Sequence, residues 1–334
     1  MPSPSTAGYT KRVMKSPLTT LELCAGAGGQ ALGLEQAGIE HAGLIEIDSH
    51  ACTTLRFNRP KWNVMQQDLT TFTDASAFQG VDIVSGGLPC PPFSKAGKQL
   101  GENDERNLFP IAIDIVDQLR PRAVMIENVR GILDAVFEDY RTYIAGTLKK
   151  LGYITDWRLL NASDFGVPQL RPRVVFIAVQ SGYADHFDWP EPGQAAAPTV
   201  GEVLYEQIAA KGWKGAKAWK RRANEIAPTI VGGSKKHGGP DLGPTRAKRA
   251  WAALGVNAHL LAEEPPARDF VGMPHLTVPM VARLQGFPPE WIFSGRKTNA
   301  YRQVGNAFPP PVACAVAQKL VHCLTARRLV RVNG

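Results

Sequence analysis

A cysteine set between prolines is the residue of this chain best placed to act as a nucleophile. It occurs in Gly86-Gly87-Leu88-Pro89-Cys90-Pro91-Pro92-Phe93-Ser94, directly after the apolar run Val81-Asp82-Ile83-Val84. Such a run followed by glycine reads as a buried parallel strand, and the loop beyond its carboxyl end is where open α/β sheets place their chemistry. Lys95, Lys98 and Arg106 follow; nearby cations favour the thiolate, the nucleophilic form of cysteine, and can hold a polyanion. A buried structural cysteine is the ordinary alternative. Rigid prolines on both sides are a costly way to fill a core, so Cys90 is assigned as a nucleophile.

Three further groups carry chemistry. Leu23-Cys24-Ala25-Gly26-Ala27-Gly28-Gly29-Gln30-Ala31 satisfies the pattern G-x-G-x-x-A, and Glu46 lies 20 residues beyond Gly26. An acid at that place can hold a ribose diol, which leaves two cofactors open, NAD(P) and S-adenosylmethionine. Ala123-Val124-Met125-Ile126-Glu127-Asn128-Val129-Arg130 brings Glu127 to the end of another apolar run. Desolvation there raises a carboxyl pKa and suits it to donate or share a proton; a glutamate paired with Arg130 is the plainer alternative. In Gln169-Leu170-Arg171-Pro172-Arg173, strand alternation sends both guanidinium groups to one side, as oxygen-rich ligands require.

The elements that must position these groups alternate. Strands are predicted at 19–23, 43–48, 81–85, 123–127, 153–160 and 174–179, and helices at 30–37, 51–58, 110–119 and 132–151. That order predicts an α/β fold, a doubly wound and mainly parallel sheet. After residue 180 the texture changes to Pro, Gly, Ala and Lys/Arg without clear periodicity, and helical character returns at 278–285 and 307–326. A chain of 334 residues, 44% hydrophobic, can bury a full core and a second, smaller one. No apolar run reaches membrane-spanning length, and the polar N-terminus lacks a secretory h-region, so a cytoplasmic protein is expected. Five cysteines without a C-x-x-C pair fit a reduced compartment, and the seven histidines show no metal-ligand spacing, so no metal is expected.

The net charge of +8 is unevenly spread. Residues 205–250 hold eleven Lys and Arg against three acids, an excess equal to that of the whole chain. With Trp213, Trp219 and Trp251 interleaved, the segment reads as a phosphate-backbone footprint, whereas the 211–220 run alone is also compatible with a solvated lysine face.

Taken in order, these pieces resemble the DNA cytosine-5 methyltransferases of bacterial restriction–modification systems. The resemblance covers about residues 18–180 and 277–325. It is carried by the Leu23–Gly29 loop, Glu46, Gln67-Asp68-Leu69, Pro89-Cys90-x-x-Phe93-Ser94, Glu127-Asn128-Val129 and Gln169-x-Arg171-x-Arg173. Arg283-Leu284-Gln285-Gly286-Phe287-Pro288 and Tyr301-Arg302-Gln303-Val304-Gly305-Asn306 complete the series. The chain has Cys24 where the family usually carries Phe, Ile47 where an aromatic often lies on the adenine, and Pro91-Pro92 where many members have Gln and a small residue.

The resemblance implies an S-adenosylmethionine-dependent, Rossmann-like catalytic domain over 18–182 completed by 300–327, a target-recognition domain over 183–299, and an N-terminal tail over 1–17. It implies a catalytic set of Cys90, Glu127, Asn128, Arg171 and Arg173. Cys90 attacks cytosine C6; Glu127 meets N3 and the exocyclic amine, buttressed by Asn128; Arg171 meets the base carbonyl, and Arg173 the thiol loop or a phosphate. The cofactor would be surrounded by Cys24, Ala25, Gly26, Ala27, Gly28 and Gly29, with Glu46 on the ribose, Asp68 on the adenine amine, and Ile47, Leu69, Pro89 and Asn306 nearby. Double-stranded DNA is the implied partner of a functional monomer, its target base flipped into the pocket because a stacked base cannot reach Cys90. Ser94, Arg106, Lys235, Lys236, Arg246, Lys248 and Arg249 are the candidate DNA contacts, the last five in two loops at 234–239 and 243–249. A tRNA cytosine-5 methyltransferase of the same fold and an NAD-dependent oxidoreductase are the competing readings.

Overall fold

A computed structural model describes residues 17–89, 107–232 and 239–330, the last four without their side chains. The first half alternates as β1 (Leu18–Leu23), α1 (Gly29–Gln36), β2 (Ile39–Glu46), α2 (Ser49–Asn58), β3 (Val64–Gln66), β4 (Ile83–Gly87), α3 (Phe109–Leu119) and β5 (Ala123–Val129). Then come α4 (Glu138–Lys150), β6 (Tyr153–Asn161) and β7 (Pro172–Gln180). The seven strands form one sheet in the order β3-β2-β1-β4-β5-β7-β6. The pairs from β3 through β5 are parallel, whereas β7 runs antiparallel to both β5 and β6.

Alternation along the strands fills two layers. Val84, Val124 and Ile126 face α3 and α4, where Phe109, Ile113, Val116, Ile144 and Leu148 pack on them. Ile83, Ala123 and Met125 face the other way, against Leu34 of α1 and Val312, Val316 and Leu320 of α10 (Pro310–Val330). Helix starts follow local chemistry. Asp48 caps α2 by accepting from the amides of His50 and Ala51, and Thr199 forms a capping box with Glu202 at the start of α5 (Val200–Ala209).

The second half departs from its featureless sequence texture. It holds α5, α6 (Ala216–Arg222), α7 (Thr245–Ala253), α8 (Val278–Leu284) and α9 (Lys297–Asn306). Their short apolar stripes close on a third core containing Leu204, Ile208, Leu276, Met280 and Phe287. Trp213, Trp219 and Trp251 are 7%, 4% and 0% exposed within it. The interleaved tryptophans are therefore core anchors, so the aromatic part of the expected phosphate-backbone footprint is not on the surface. The expected helix at 132–151 is likewise broken: residues 130–133 and 135–137 form tight 3-10 turns before α4 begins. Among the described residues no helix is long and apolar enough to cross a membrane.

Candidate active site

The strand order reverses between β1 and β4, and a cleft opens beyond the carboxyl ends of these strands, as expected of a doubly wound sheet. Register brings the site together: Leu23 lies beside Ile45 and Gly86, and Gly87 beside Glu127. The cavity there measures about 560 Å³, within the range of small-molecule sites.

About half of its walls are residues marked from sequence. Cys24, Ala25, Gly26, Ala27, Gly29, Glu46, Ile47, Asp68, Leu69, Pro89, Glu127 and Asn306 line it. Gly28 does not. It turns away with φ +88°, where an added Cβ would lie 2.7 Å from Leu55 and 2.9 Å from Trp291, so its role is to let the loop turn. Glu46 braces that loop. One carboxyl oxygen accepts from the Gly26 amide at 2.7 Å and the other from the Asp48 amide at 2.8 Å. Burial raises its pKa against these two bonds. Asp68 accepts from the amide and hydroxyl of Thr70 through one oxygen. Ile47 is 59% exposed and offers an apolar wall to the cleft.

Sequence reasoning passed over Glu22, Gln30, Asp48, Arg302 and Gln303, all of which line the same cavity. Arg302 pairs with Asp48 at 3.4 Å, joining α9 to the start of α2. The signal for α9 was present: Arg302 and Asn306 are one helical turn apart, so a helix over that motif sets both on one face.

At the other side of the cleft, Glu127 is buried and forms an ion pair with Arg173, Nε to Oε1, at 2.8 Å. Arg130 is not its partner. Burial raises the Glu127 pKa, and the charges of Arg173 and Arg171 oppose the shift without cancelling it. Asn128 is buried; it donates to the Leu88 carbonyl at 3.2 Å and accepts from the Val129 amide at 2.8 Å. The β5 end is thereby tied to the chain two residues before Cys90.

The two arginines part company. Arg171 is fully buried and donates to the carbonyls of Ile230, Gly305 and Ala307 at 2.6, 2.8 and 3.0 Å. Its terminal nitrogens are engaged by backbone carbonyls, and Arg173 is the arginine that forms the ion pair with Glu127. Around Arg171, Gln169 accepts from the Ile230 amide, Tyr301 donates to the Val231 carbonyl, and Gln285 donates to the carbonyls of Val304 and Ala307. Gly232 and Gly305 cross backbone to backbone: a Cβ on Gly305 would sit 2.4 Å from the Gly232 Cα. This clasp fixes residues 227–232 against α9 and the cavity wall.

The basic segment is less naked than its count. Lys211 pairs with Glu264, Lys214 with Asp269 and Lys248 with Asp241; two of these acids lie beyond the segment. Residues 245–249 open α7 and are not a loop, and they leave Arg246 and Arg249 exposed one turn apart. Cys90, Ser94, Arg106, Lys235 and Lys236 lie outside the described residues. Among the described residues no group of acids, histidines and cysteines could hold a metal ion. The four described cysteines are all pushed up in pKa, burial being the first cause: Cys24 to about 12 and Cys52 and Cys323 to about 11, with Cys314 also raised.

Comparison with known proteins adds to this geometry. The family model for the C-5 cytosine-specific DNA methylases matches residues 18–322. The chain is 55% identical over 308 residues to the type II methyltransferase M.NaeI of Lentzea aerocolonigenes, covering 91% of this chain and 74% of the relative. It is 50% identical over 309 residues to the type II methyltransferase M.NgoMIV of Neisseria gonorrhoeae, covering 92% and 98%. Among solved structures, a putative DNA modification methyltransferase encoded within an E. coli prophage superimposes with a TM-score of 0.63 at 23% identity, covering 92% and 99%, a likeness of fold.

Proposed function

Since the chain belongs to the C-5 cytosine-specific DNA methylases and is a DNA (cytosine-5)-methyltransferase, we propose that its cavity binds S-adenosylmethionine and that Cys90 activates a flipped-out cytosine beside it. The observation that carries this reading is the convergence of Glu46, Asp68, Pro89, Glu127 and Asn306 on one cleft at the switch point of the sheet. The donor set fits the cofactor: a carboxylate for a ribose diol at Glu46, an acceptor for an amine at Asp68, an apolar wall at Ile47, and buried carboxyl and amide oxygens at Glu22 and Gln30. When bound, S-adenosylmethionine supplies an electrophilic methyl group for which cytosine C5 is the acceptor.

The protein's own groups make C5 nucleophilic. C5 of a neutral cytosine is too weak to take a methyl group directly, so addition of a thiolate at C6 divides the reaction into easier steps. None of the four described cysteines is poised to ionise near neutral pH, which supports Cys90 as that thiolate. Glu127, held proton-prone by burial, meets N3 and the exocyclic amine and shares the proton that N3 gains as negative charge develops on the ring. Asn128 holds the end of β5. Arg173, beside Glu127, takes the contact with the base carbonyl, and Arg171 serves as the strut behind it. Loss of the C5 proton then allows Cys90 to leave and restores the ring.

Residues 183–299 form the target-recognition region in this reading, with the boundary falling inside α9. Exposed Arg246 and Arg249 on α7 suit contacts with phosphate or guanine, and Lys235, Lys236, Ser94 and Arg106 join them on sequence grounds. In this reading the enzyme works as a monomer. The names of M.NaeI and M.NgoMIV support a role as the modification enzyme of a type II system, and a cytoplasmic place is part of the same reading. They lend no support to the tRNA and oxidoreductase alternatives. Incubation with methyl-labelled S-adenosylmethionine and either duplex DNA or tRNA tests the assignment: label at C5 of duplex cytosine is expected, and label confined to tRNA would overturn it.

A further inference from the structure

One buried acid of the cavity wall has no place in the reaction just described. Glu22 on β1 is 0% exposed and lines the cavity. Neither of its carboxyl oxygens makes a hydrogen bond of full geometry; an off-geometry bond from the Ala31 amide lowers its pKa against the larger effect of burial. The buried Oε1 of Gln30, also on the wall, is unpartnered. Behind Glu22 stands His41 of β2, with Nδ1 3.7 Å from the Glu22 Oε2. The His41 Nε2 lies 3.0 Å from the Ala31 carbonyl, which fixes the proton of a neutral ring on Nε2 and turns the Nδ1 lone pair toward Glu22. The His41 side chain is itself 0% exposed and packs on Trp62 at 4.5 Å between ring centroids. The other ionisable groups that act on the pair are acids, Glu46 on β2 and Glu35 on α1. Glu35 is already engaged by Arg59.

A cavity wall with under-satisfied buried acceptors, whose one cation among the described lining residues, Arg302, is already paired with Asp48, is complementary to a cationic ligand. We propose that the Glu22–His41 pair holds one proton in the free enzyme and releases it to solvent when the sulfonium and ammonium groups of S-adenosylmethionine enter the cavity. The inference rests on the cofactor reading above. In the exchange the Glu22 O–H bond breaks, its electron pair stays on the carboxylate, and the proton passes to buffer. The incoming positive charge compensates the new carboxylate. Transfer to His41 instead would place a second cation in a sealed wall beside the first, which like-charge repulsion and desolvation both disfavour. Burial acts on both members in the same sense, raising Glu22 and lowering His41 to about 4, so that the free pair is a carboxylic acid and a neutral ring.

Calorimetric titration of the full chain with S-adenosylmethionine, near neutral pH in two buffers of different ionisation enthalpy, counts the protons. About one proton released per cofactor is expected in the wild type. Glu22→Gln, a neutral isostere of the protonated acid, should release none while still binding, more weakly. Infrared difference spectra of the wild type give a readout independent of the variant's folding: the C=O stretch of a protonated carboxyl should be lost on binding and return on removal of the cofactor. Saturable binding with the same enthalpy in both buffers, or the same release from a folded Glu22→Gln protein, overturns the proposal alone. Absence of saturable binding by the wild type overturns the cofactor reading, and the proposal with it.

Discussion

Arg171→Met should damage the fold more than the chemistry, in contrast to what two neighbouring arginines in an extended segment suggest. The Arg171 guanidinium is fully buried and supplies three backbone carbonyls, those of Ile230, Gly305 and Ala307, at 2.6–3.0 Å. Methionine fills much of the volume and supplies no donor. Each buried carbonyl left without a donor costs about 1–3 kcal/mol. Relief of the buried charge offsets part of that sum, since desolvation and the nearby Arg173 both penalise the guanidinium. Removing one partner from a buried charged network typically costs about 3–5 kcal/mol, and that is the expected loss here. Against a total stability of about 5–15 kcal/mol, it is a large fraction. Urea denaturation followed by tryptophan fluorescence measures it, with Trp213, Trp219 and Trp251 as reporters inside the third core. Arg173→Met removes a single ion pair with Glu127, whose carboxyl is already raised in pKa by burial and can take up a proton instead, so it should cost less stability while abolishing methyl transfer. A midpoint for Arg171→Met within about 1 kcal/mol of wild type, or a larger loss for Arg173→Met, would refute the division of labour drawn between them.

Gly305→Ala should destabilise by about 1–3 kcal/mol, as overpacked sites do, because its Cβ would lie 2.4 Å from the Gly232 Cα and neither backbone has a flexible end to move; an unchanged melting temperature would show the crossing to be looser. Glu46→Ala should weaken S-adenosylmethionine binding by about 1.5–3 kcal/mol for each charge-assisted bond lost, roughly tenfold or more in Kd by calorimetry; tight binding of NAD with none of S-adenosylmethionine would instead reinstate an oxidoreductase. His41 titrates at about 4 in the fold against 6.5 when free, so its contribution is present above pH 6.5 and is lost as pH falls to 4. The depressed value means that protonation favours the unfolded chain, by up to roughly 3 kcal/mol at 1.36 kcal/mol per pH unit. Urea midpoints between pH 6.5 and 4 should fall more steeply for the wild type than for His41→Asn, and parallel slopes would count against the buried ring.

What the sequence made legible is what strand ends dictate locally. A glycine loop after β1, acids at the carboxyl ends of β2 and β5 and a proline after β4 can be placed at one sheet edge from strand periodicity alone, and Cys24, Glu46, Pro89 and Glu127 do line one cavity. Properties that depend on distant partners were not legible. Arg171 looked like a ligand-binding arginine because Ile230, Gly305 and Ala307, more than fifty residues away, are invisible to a local pattern. Trp213, Trp219 and Trp251 read as part of a surface footprint because nothing in 205–250 announces a core closed by Leu276, Met280 and Phe287. The acids that neutralise Lys211 and Lys214 likewise lie outside the segment whose charge was counted. Glu22 and His41 meet only because β1 and β2 are neighbours in the sheet, with a register shift after Thr20.

The central claim, that Cys90 attacks the ring of a flipped cytosine, is tested most directly by a duplex carrying 5-fluorocytosine at the target position, incubated with the enzyme and S-adenosylmethionine. Fluorine cannot leave C5 as the proton does, so the thiol cannot depart and the enzyme should be trapped on the DNA. The account predicts a complex that survives denaturation and needs the cofactor to become irreversible. Mass spectrometry should place the crosslink on Cys90. Cys90→Ser should give neither crosslink nor methylation, because a hydroxyl is far less ionised and less nucleophilic than a thiol near neutral pH. Single replacement of Cys24, Cys52, Cys314 or Cys323 should leave the trap intact. A crosslink on any other residue, or methylation retained by Cys90→Ser, would contradict the account.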